Sequence, residues 1–571
     1  MASSILVGAA VCIILGIGYV VWQLFPGTPL PGYPHVASSR WRIFGDGLTI
    51  LRIAERTRES SIAIFNLNTK LGTAITQLLL THGPPMITVD DPREVEDIVM
   101  RRNKEFDHSW YTMQLFNRPF PHATISQHTT PALKAQKRLW TDAMSPDFLK
   151  RIVAPNLQNA AGQLVELWTI RAEQAAGTPF KVSADFHSTA LDAIWTALLG
   201  SKLGVLQSHI EKSRGVPSTL DAETLSTIDA VRFVVEKGNA MVATALNSMW
   251  PPLAFFILQF TPTYRQFKRL STEEVQKVMR RAYQRFLALA DAKGVAGVGD
   301  SDEHDTCAMD LVLRRQIMTA RKTGQPPLDP TRDPQMLDEL WMLLLAGHDS
   351  TANTLSWFVK FMALNQEPQS QLRRALSAAF GNEPFPKLPS ANAILEADIP
   401  YLDAMMEETI RVAATSAIIN RDVLVDTEIL GKRVPAGSIL FLNLRIDHTP
   451  YPVDESLRSA TSQAAQAKRT RGGFDGESGR DIEKFEPRRW LTKKADGEEV
   501  FDAYSLPVLG FGGGYRGCFG KRLAMMELRI IIVVLILNFE FLPLPEELAG
   551  LEGDEGVFRR PQKEYVRLKK L

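Results

Sequence analysis

Cysteine is scarce in this chain, which has three in 571 residues: Cys12, Cys307 and Cys518. Three thiols cannot form a disulfide framework, and their wide spacing does not match a structural zinc site. We therefore expect the bulk of the chain to occupy a reducing compartment. An excess of charge of either sign is also missing, because 65 basic and 64 acidic residues leave a net charge of +1. This balance gives no reason to expect a nucleic-acid partner.

Charged residues are missing from the first 39 positions as well. Ile5 to Trp22 is a run of apolar residues and glycine long enough for a helix to cross a bilayer. We predict a retained membrane anchor over residues 1–25, because a cleaved signal peptide would begin with a basic segment. Four prolines follow within residues 26–39, which we interpret as a stiff, extended linker. The first basic residues lie after this linker, so residues 40–571 are expected in the cytosol.

Helical periodicity dominates the remainder of the chain, most clearly over residues 150–200, 272–295 and 334–365. Strand patterns are short and few, as at 438–444 and near residue 540. We therefore predict a mainly α fold with a small β-sheet region. Residues 455–481 differ from the rest, since they combine glycine with basic residues and lack periodicity, and we predict a mobile surface insertion there.

The helix predicted over 334–365 carries polar residues at its apolar centre. Gly347 costs about 1 kcal/mol in a helix interior, and the nearby Asp349, Ser350 and Thr351 are costly to bury without partners. Two interpretations are open. The segment is either a solvent-facing patch or a local kink that opens a cavity in which the acid and the two alcohols handle protons.

A second polar motif surrounds Cys518. Residues 512–517 satisfy the GxGxxG pattern of dinucleotide-binding folds, but only 54 residues follow, too few for the further βα units of such a fold. A phosphate-binding loop is excluded too, because Arg522 stands where that motif requires serine or threonine. What remains is a cysteine among glycines before a helix, with Arg516 nearby. This setting favours the thiolate and lets a flat ligand approach the backbone.

Residues 511–520, FGGGYRGCFG, resemble the haem-binding loop FxxGxRxCxG of the cytochromes P450 at every fixed position. The resemblance implies the P450 fold and makes Cys518 the thiolate ligand of haem iron. It also implies that Arg516 contacts a haem propionate. The remaining fixed positions of the cofactor-binding loop are Phe511, Gly514 and Gly520.

Residues 346–351 resemble the oxygen-activation motif (A/G)Gx(D/E)T(T/S) of the same family. The resemblance gives Asp349, Ser350 and Thr351 catalytic roles in proton delivery. This chain has Ser350 where the family usually has threonine, so which of the two alcohols relays the proton is open.

Two further segments resemble elements of the family. Residues 408–411 match its ExxR motif and residues 485–490 its FxPxRW element. The resemblance implies that Glu408, Arg411 and Arg489 form a buried charge triad that supports the haem loop, and such charges need their partners. Arg421 is expected to bind a propionate, and Arg138 is the nearest candidate for a further cofactor contact from the third helix.

The resemblance as a whole implies a haem-thiolate monooxygenase. Such an enzyme inserts oxygen from O2 into a hydrophobic small molecule, with electrons from a separate NADPH-cytochrome P450 reductase. The anchor and linker resemble the microsomal class, which implies a single-pass protein of the endoplasmic reticulum in contact with membrane lipid. The insertion resembles that of fungal members in secondary-metabolite biosynthesis. Two alternatives remain: a haem-thiolate isomerase or dehydratase that does not require O2, and a non-catalytic, membrane-tethered haem binder.

Overall fold

The computed structural model describes residues 2–248, 251–293, 305–324, 329–381, 384–469 and 473–571, without the side chains of 2–11, 13, 289–293, 321 and 475. The mainly α fold with a small sheet region is confirmed. The helices are α1 Ala2–Gln23, α2 Gly47–Thr57, α3 Ser60–Leu71, α4 Pro92–Met100, α5 Trp110–Phe116, α6 Pro131–Leu139, α7 Pro146–Phe148, α8 Ala154–Ala175, α9 Ser183–Leu199, α10 Val205–Arg214, α11 Ala222–Leu246, α12 Pro251–Leu258, α13 Pro262–Lys293, α14 Ala308–Thr323, α15 Pro334–Leu364, α16 Gln366–Phe380, α17 Ala391–Glu396, α18 Pro400–Ala413, α19 Ala460–Gln466, α20 Lys521–Asn538 and α21 Glu546–Ala549.

The strands are short, as the sequence predicts. They are β1 Ile75–Leu78, β2 Met86–Val89, β3 Phe106–His108, β4 Phe180–Lys181, β5 Ile418–Val423, β6 Thr427–Ile429, β7 Lys432–Val434, β8 Ile439–Asn443, β9 Leu491–Lys493, β10 Glu499–Phe501, β11 Phe539–Phe541, β12 Gly553–Glu555, β13 Arg559–Pro561, β14 Tyr565–Val566 and β15 Leu568–Lys570. β8 and β11 confirm the strands expected at 438–444 and near 540.

The principal sheet has five strands in the order β1-β2-β8-β5-β3. The β2–β8 pair is parallel and its other pairs are antiparallel. All five residues of β8 are buried, as expected for a strand covered on both faces. The remaining strands form two-stranded pairs, including the hairpin β12–β13 near the carboxyl end.

α15 is the central helix of the structure, with 31 residues, and confirms the helix predicted over 334–365. Asp333 caps its start by accepting a hydrogen bond from the backbone N–H of Gln335, and Pro334 occupies the first turn. Most of its length is buried. A half-buried stripe at Leu343, Ala346 and Ser350 interrupts the buried surface at helical spacing.

α15 runs continuously through Gly347, and the kink expected there stays a prediction. A different constraint explains the glycine. A Cβ atom at position 347 would lie 3.1 Å from Cγ1 of Ile194 on α9, so the missing side chain lets the two helices pack closely. The cost of glycine in the helix is therefore offset by packing.

α20 anchors the segment that follows Cys518. Its residues Ile530 to Leu537 are all buried in the largest hydrophobic cluster of the molecule. Burying a large aliphatic side chain contributes roughly 2 kcal/mol, so this helix is fixed in the core independently of any ligand. The loop before α20 is therefore attached to a rigid support.

Residues 455–481 are not the free loop that the sequence suggested. Arg458 forms two 2.8 Å hydrogen bonds with the carboxylate of Asp91, just before α4, and both side chains are buried. Ser459 and Thr461 donate to Asp97 on the same helix at 2.6 and 3.0 Å. The described part of the insertion therefore packs against α4 through buried charge, which composition alone does not reveal.

The expected membrane span lies in α1, and its side chains at 5–11 and 13 fall outside the described residues. Among the residues described, no helix combines the length and the apolar character that crossing a bilayer requires.

Candidate active site

The loop that carries Cys518 is shaped by backbone geometry. The N–H of Cys518 donates to the carbonyl of Phe511 at 2.8 Å and closes the loop before α20 begins. Gly514 has φ 59°, and a Cβ atom there would lie 2.4 Å from Oδ1 of Asn103, after the end of α4. A side chain at this position would therefore strain the backbone and displace α4. The side chain of Cys518 is exposed.

The same loop rests on α18. A Cβ atom on Gly510 would lie 2.3 Å from Cγ2 of Ile410, so that glycine lets the loop contact the helix directly. The loop is thus held between the end of α4 and α18. The loop that carries the sulfur atom of Cys518 is therefore fixed on both sides.

The protonation of Cys518 reflects opposing influences. Burial of the surrounding loop raises the pKa of the thiol, whereas the N–H of Gly520 and the charges of Lys137 and Lys521 lower it. The sequence suggested Arg516 as the cation that favours the thiolate. Arg516 instead forms an ion pair with Asp107 at 3.3 Å and donates to the carbonyls of Thr124 and Gln127. Sequence reasoning missed Lys137, whose charge lowers the pKa of the Cys518 thiol.

Arg421 and Arg516 form a cationic pair beside this loop. Arg421 is buried, and the only hydrogen bond of its guanidinium group among the described residues goes to the carbonyl of Asn420 at 3.0 Å. Burial and the charge of Arg516 lower the pKa of Arg421 to about 10. The same surroundings lower the pKa of His108 to about 3, so this imidazole stays neutral. Two adjacent guanidinium groups with one nearby carboxylate, Asp107, are suited to an anionic ligand.

Arg138 does not reach the site. Its side chain is exposed, and its carbonyl oxygen accepts a hydrogen bond from Arg315. Lys137, one residue earlier on α6, points to the loop instead and donates to the carbonyl of Tyr515 at 3.1 Å. The cofactor contact of Arg138 stays a prediction, and Lys137, about 100° away around α6, is the cation that contacts the loop.

The predicted triad is assembled at the base of the site. Arg411 forms two hydrogen bonds with the carboxylate of Glu408, at 2.7 and 2.8 Å, and Arg489 donates to the same group at 3.0 Å. Trp490 donates a fourth hydrogen bond at 2.9 Å. Burial alone would raise the pKa of Glu408, but the two arginines lower it below its ordinary value.

The arginines of the triad also bind the end of the insertion and the residues that follow it. Arg411 donates to the carbonyls of Ile482 and Lys484, and Arg489 donates to those of Ser478 and Asp481. α18 carries both Glu408 and Ile410, so the triad fixes the helix on which the cysteine loop rests. A buried ion network of this kind is costly to break because a partner is left unpaired.

The two alcohols of α15 face different surroundings. Ser350 lies on the half-buried stripe, and its hydroxyl donates to the carbonyl of Ala346 at 2.7 Å. Thr351 is buried, and its hydroxyl donates to the carbonyl of Gly347 at 3.2 Å; the residue lies near Glu527 of α20. Burial raises the pKa of Glu527 to about 8, while Thr351 lowers it. Ser350 is therefore the accessible hydroxyl, and Thr351 belongs to the contact between α15 and α20.

Asp349 is oriented by polar partners from two helices. Asn239 of α11 donates to one carboxylate oxygen at 2.8 Å, and Asn353 of α15 donates to the other at 3.1 Å. His187 of α9 places Nδ1 3.6 Å from the carboxylate. The solvent-facing interpretation of this segment is wrong, because Asp349 is only 8% exposed. Sequence reasoning missed these partners: Asn239 and His187 are distant in the chain, whereas Asn353 lies one turn further along α15.

Comparison with known proteins agrees with this arrangement. The family model described as "Cytochrome P450" matches residues 38–449 and 481–567 and omits residues 450–480. The chain is 29% identical over 582 residues to cytochrome P450 monooxygenase GME11363 of Pestalotiopsis microspora, covering 99% of this chain and 98% of that protein. It is 28% identical over 600 residues to cytochrome P450 monooxygenase TRI13 of Fusarium sporotrichioides, covering 98% and 99%. It is also 32% identical over 275 residues to the Hps1-dma1 cluster cytochrome P450 monooxygenase cyp3.1 of Dothistroma septosporum, covering 46% of this chain and 86% of that protein.

Proposed function

The chain belongs to the cytochrome P450 family, and from this premise we propose that it oxygenates a hydrophobic small molecule with electrons from a separate NADPH-dependent reductase. The chain is an oxidoreductase of this family, and its cofactor is haem iron with a cysteine thiolate ligand. The observation that carries the proposal is the exposed Cys518, held in a loop that α4 and α18 fix from both sides.

The residues around the loop fit haem. The adjacent guanidinium groups of Arg421 and Arg516 suit the two propionate groups of the porphyrin. Arg421 has no carboxylate within ion-pair distance among the described residues, and an anionic ligand would compensate its charge. Lys137 adds a third cation from α6. When bound, haem supplies the activation of dioxygen, and thiolate ligation favours cleavage of the O–O bond.

We assign the proton relay to Asp349 and Ser350. Ser350 lies on the half-buried stripe of α15, next to Ala346 and Leu343, whereas Thr351 is buried near α20. A hydroxyl next to an oriented carboxylate can pass a proton onward and recover it from the acid. The role of Thr351 is then structural.

The substrate is proposed to be apolar. Leu343 and Ala346 present aliphatic surface on the stripe of α15, and Ala417 and Ile418 add apolar residues at the start of β5. A cavity with apolar walls and few polar groups binds hydrophobic molecules. A role in secondary-metabolite biosynthesis is supported by the likeness to fungal monooxygenases, one of which is named after a gene cluster.

The anchor and the redox partner complete the proposal. The apolar run from Ile5 to Trp22 supports attachment to the endoplasmic reticulum membrane, with the catalytic domain in the cytosol. Lys134, Lys521 and Arg522 are exposed around the cysteine loop and offer a basic surface to an acidic reductase.

The first test is the carbon-monoxide difference spectrum of the reduced protein and of its Cys518→Ala variant. We expect a red-shifted Soret band in the parent that the variant lacks. A folded parent without a haem signal would contradict the proposal. Turnover that needs neither reductase, NADPH nor O2 would instead support a haem-thiolate isomerase or dehydratase. Bound haem with no product from any substrate tried would support a non-catalytic haem binder.

A further inference from the structure

A cavity of about 490 Å³ lies between α9, α11 and α15, and the β12–β13 hairpin forms its remaining wall. Arg232 and Glu236 of α11 are exposed lining residues, so the cavity communicates with solvent. Four acidic side chains and two arginines line it. This balance of charge suits a cation more than an anion.

Three side chains in the cavity form a cluster of the kind that binds metal ions. His187 of α9 and the adjacent His348 and Asp349 of α15 each offer one ligand atom, and these atoms all lie within 4.8 Å of one another. Nδ1 of His187 lies 3.6 Å from Oδ1 of Asp349, and the two imidazole centroids are 5.7 Å apart. Ligand atoms bound to a tetrahedral zinc ion at about 2.1 Å lie roughly 3.4 Å from one another. Side-chain rotations that shorten the widest separation by at most roughly 1.4 Å would therefore close the cluster on such an ion.

The hydrogen bond of His348 selects a tautomer that can bind a metal. Its Nδ1 atom donates to the carbonyl of Leu344 at 2.8 Å, so Nε2 carries the free lone pair. Histidine ligands commonly donate their other ring N–H to such an acceptor, which fixes the orientation of the ring. Burial lowers the pKa of His348, and it lowers the pKa of His187 to about 4. Both imidazoles are therefore neutral near pH 7, which is the form that binds a metal.

Asp349 keeps the capacity to bind an ion. Asn239 and Asn353 donate one hydrogen bond to each of its carboxylate oxygens, at 2.8 and 3.1 Å, and an ionised carboxylate has about four acceptor positions. The Oδ1 atoms of the same two asparagines are buried and have no hydrogen-bond partner among the described residues. Buried polar atoms of this kind are generally bonded to ordered water. A water molecule bound to the ion can supply the donors that these oxygens lack.

The helices that carry the cluster are packed closely together. Gly347, which directly precedes His348, contacts Ile194 of α9, where an added Cβ atom would lie 3.1 Å from Cγ1. Sites built on packed helices are held more precisely than sites on loops. Arg560 lines the same cavity, but Asp554 pairs with it at 2.9 Å and compensates its charge.

We propose that His187, His348 and Asp349 form a zinc-binding site. Two imidazoles, one carboxylate and a fourth position open to water are a ligand set that zinc accepts. Mg²⁺ and Ca²⁺ prefer oxygen ligands and match this set poorly. The site is separate from the thiolate of Cys518, and it goes beyond the proposed oxygenase function because its affinity for zinc does not depend on turnover.

The test measures zinc binding to the full-length, haem-loaded protein, in which haem occupies Cys518. Equilibrium dialysis against Zn²⁺ with elemental analysis gives the stoichiometry and the Kd. His187→Gln and His348→Gln each remove one imidazole from the cavity. His122→Gln removes an exposed histidine that does not line the cavity and serves as the matched control. The carbon-monoxide difference spectrum establishes that each variant binds haem as the parent does.

We expect one zinc ion per chain in the parent and in His122→Gln. The Kd should be at least tenfold higher in both cavity variants, since loss of a residue that only supports a metal ligand already costs about 10–100-fold in affinity. An excess of Mg²⁺ should not displace the zinc. X-ray absorption at the zinc edge should show nitrogen and oxygen ligands at about 2.0–2.1 Å and no sulfur at about 2.3 Å, which separates this site from binding at a cysteine.

Three results would overturn the site: a folded parent that binds no zinc, an unchanged Kd in His187→Gln, or sulfur among the zinc ligands. His187→Gln decides the question even where His348→Gln does not fold, because the side chain of His187 is 27% exposed and its replacement leaves the core intact.

Activity provides a second readout that distinguishes the site from the proposed function. Since the ion binds the carboxylate of Asp349, zinc should lower the product formed per NADPH consumed in the parent, less so in His187→Gln, and a chelator should restore it. Zinc binding without this loss would support the site and remove Asp349 from the relay. A parent that forms no reductase-dependent product would overturn the oxygenase function, while the binding measurement would still decide the zinc site.

Discussion

The ion pair between Arg458 and Asp91 gives a sharp test of whether the insertion supports the cofactor loop. Arg458→Leu would remove both 2.8 Å hydrogen bonds and leave the Asp91 carboxylate buried without its cation. Breaking a buried pair in this way costs about 3–5 kcal/mol. Asp91 keeps one 2.8 Å bond from the N–H of Glu94, so we expect the lower end, about 3 kcal/mol.

The expected effect extends to haem because α4 ends against the cysteine loop. Asn103 packs against Gly514, and Met100 packs against Gly513. A Cβ atom added to Gly513 would lie 2.1 Å from the sulfur atom of Met100. Guanidinium unfolding of the holoenzyme, followed by tryptophan fluorescence and by the carbon-monoxide difference band, measures both consequences. We expect the thiolate-dependent band to be lost at a lower denaturant concentration than the fluorescence change in Arg458→Leu.

A matched control comes from the same segment. Glu455 pairs with Arg93 at 2.7 Å but is 53% exposed, so Glu455→Gln should cost less than about 1 kcal/mol. The double variant Asp91→Asn/Arg458→Leu should recover part of the loss, since it removes the unpaired buried charge. If Arg458→Leu costs no more than Glu455→Gln, the insertion does not stabilise α4 and the reasoning is refuted.

Three further predictions concern the site. Ser350→Ala should lower the product formed per NADPH consumed by roughly tenfold or more and should release peroxide. Thr351→Val should keep the product formed per NADPH and lower the stability of the protein. The reverse result would assign the relay to Thr351. Trp490→Phe should lower the free energy of unfolding in urea by about 1–3 kcal/mol, because Glu408 loses one of its buried hydrogen-bond donors. An unchanged free energy of unfolding would show that solvent replaces this bond. Glu527 has a pKa of about 8 in the folded protein, above its ordinary value of 4.5. Between these two values the folded protein binds more protons at Glu527 than the unfolded chain does. The contribution of Glu527 to stability therefore falls as pH rises from about 4.5 to 8. Glu527→Gln should therefore gain stability relative to the parent across that window, by at most about 1.4 kcal/mol per pH unit, and parallel stability–pH curves would disprove the shift.

Local sequence signals predicted those parts of the site that lie on one continuous element. The cap at Asp333, the apolar length of α15 and the glycines around Cys518 are local features, and the structure contains them as expected. The triad was predicted from family resemblance, since Glu408 and Arg411 are one turn apart but Arg489 is distant in sequence.

Other features depend on contacts that the sequence does not encode locally. The packing role of Gly347 was not predicted, because its neighbour Ile194 lies on another helix. Arg138 was named from the family pattern, and the contact of Lys137 with the cysteine loop was not predicted. The buried role of Arg458 was hidden because its partner, Asp91, lies 367 residues away in the chain.

The close contact between Ile194 and Gly347 has a mechanical consequence. Packed helices can usually slide slightly past each other. Here the side chain of Ile194 on α9 packs against α15 at Gly347, which has no Cβ atom. His187 lies seven residues before Ile194 on α9, or about 10 Å along the helix axis. We therefore expect a ligand that displaces α15 to carry α9 with it, so that the separation of His187 and Asp349 is preserved.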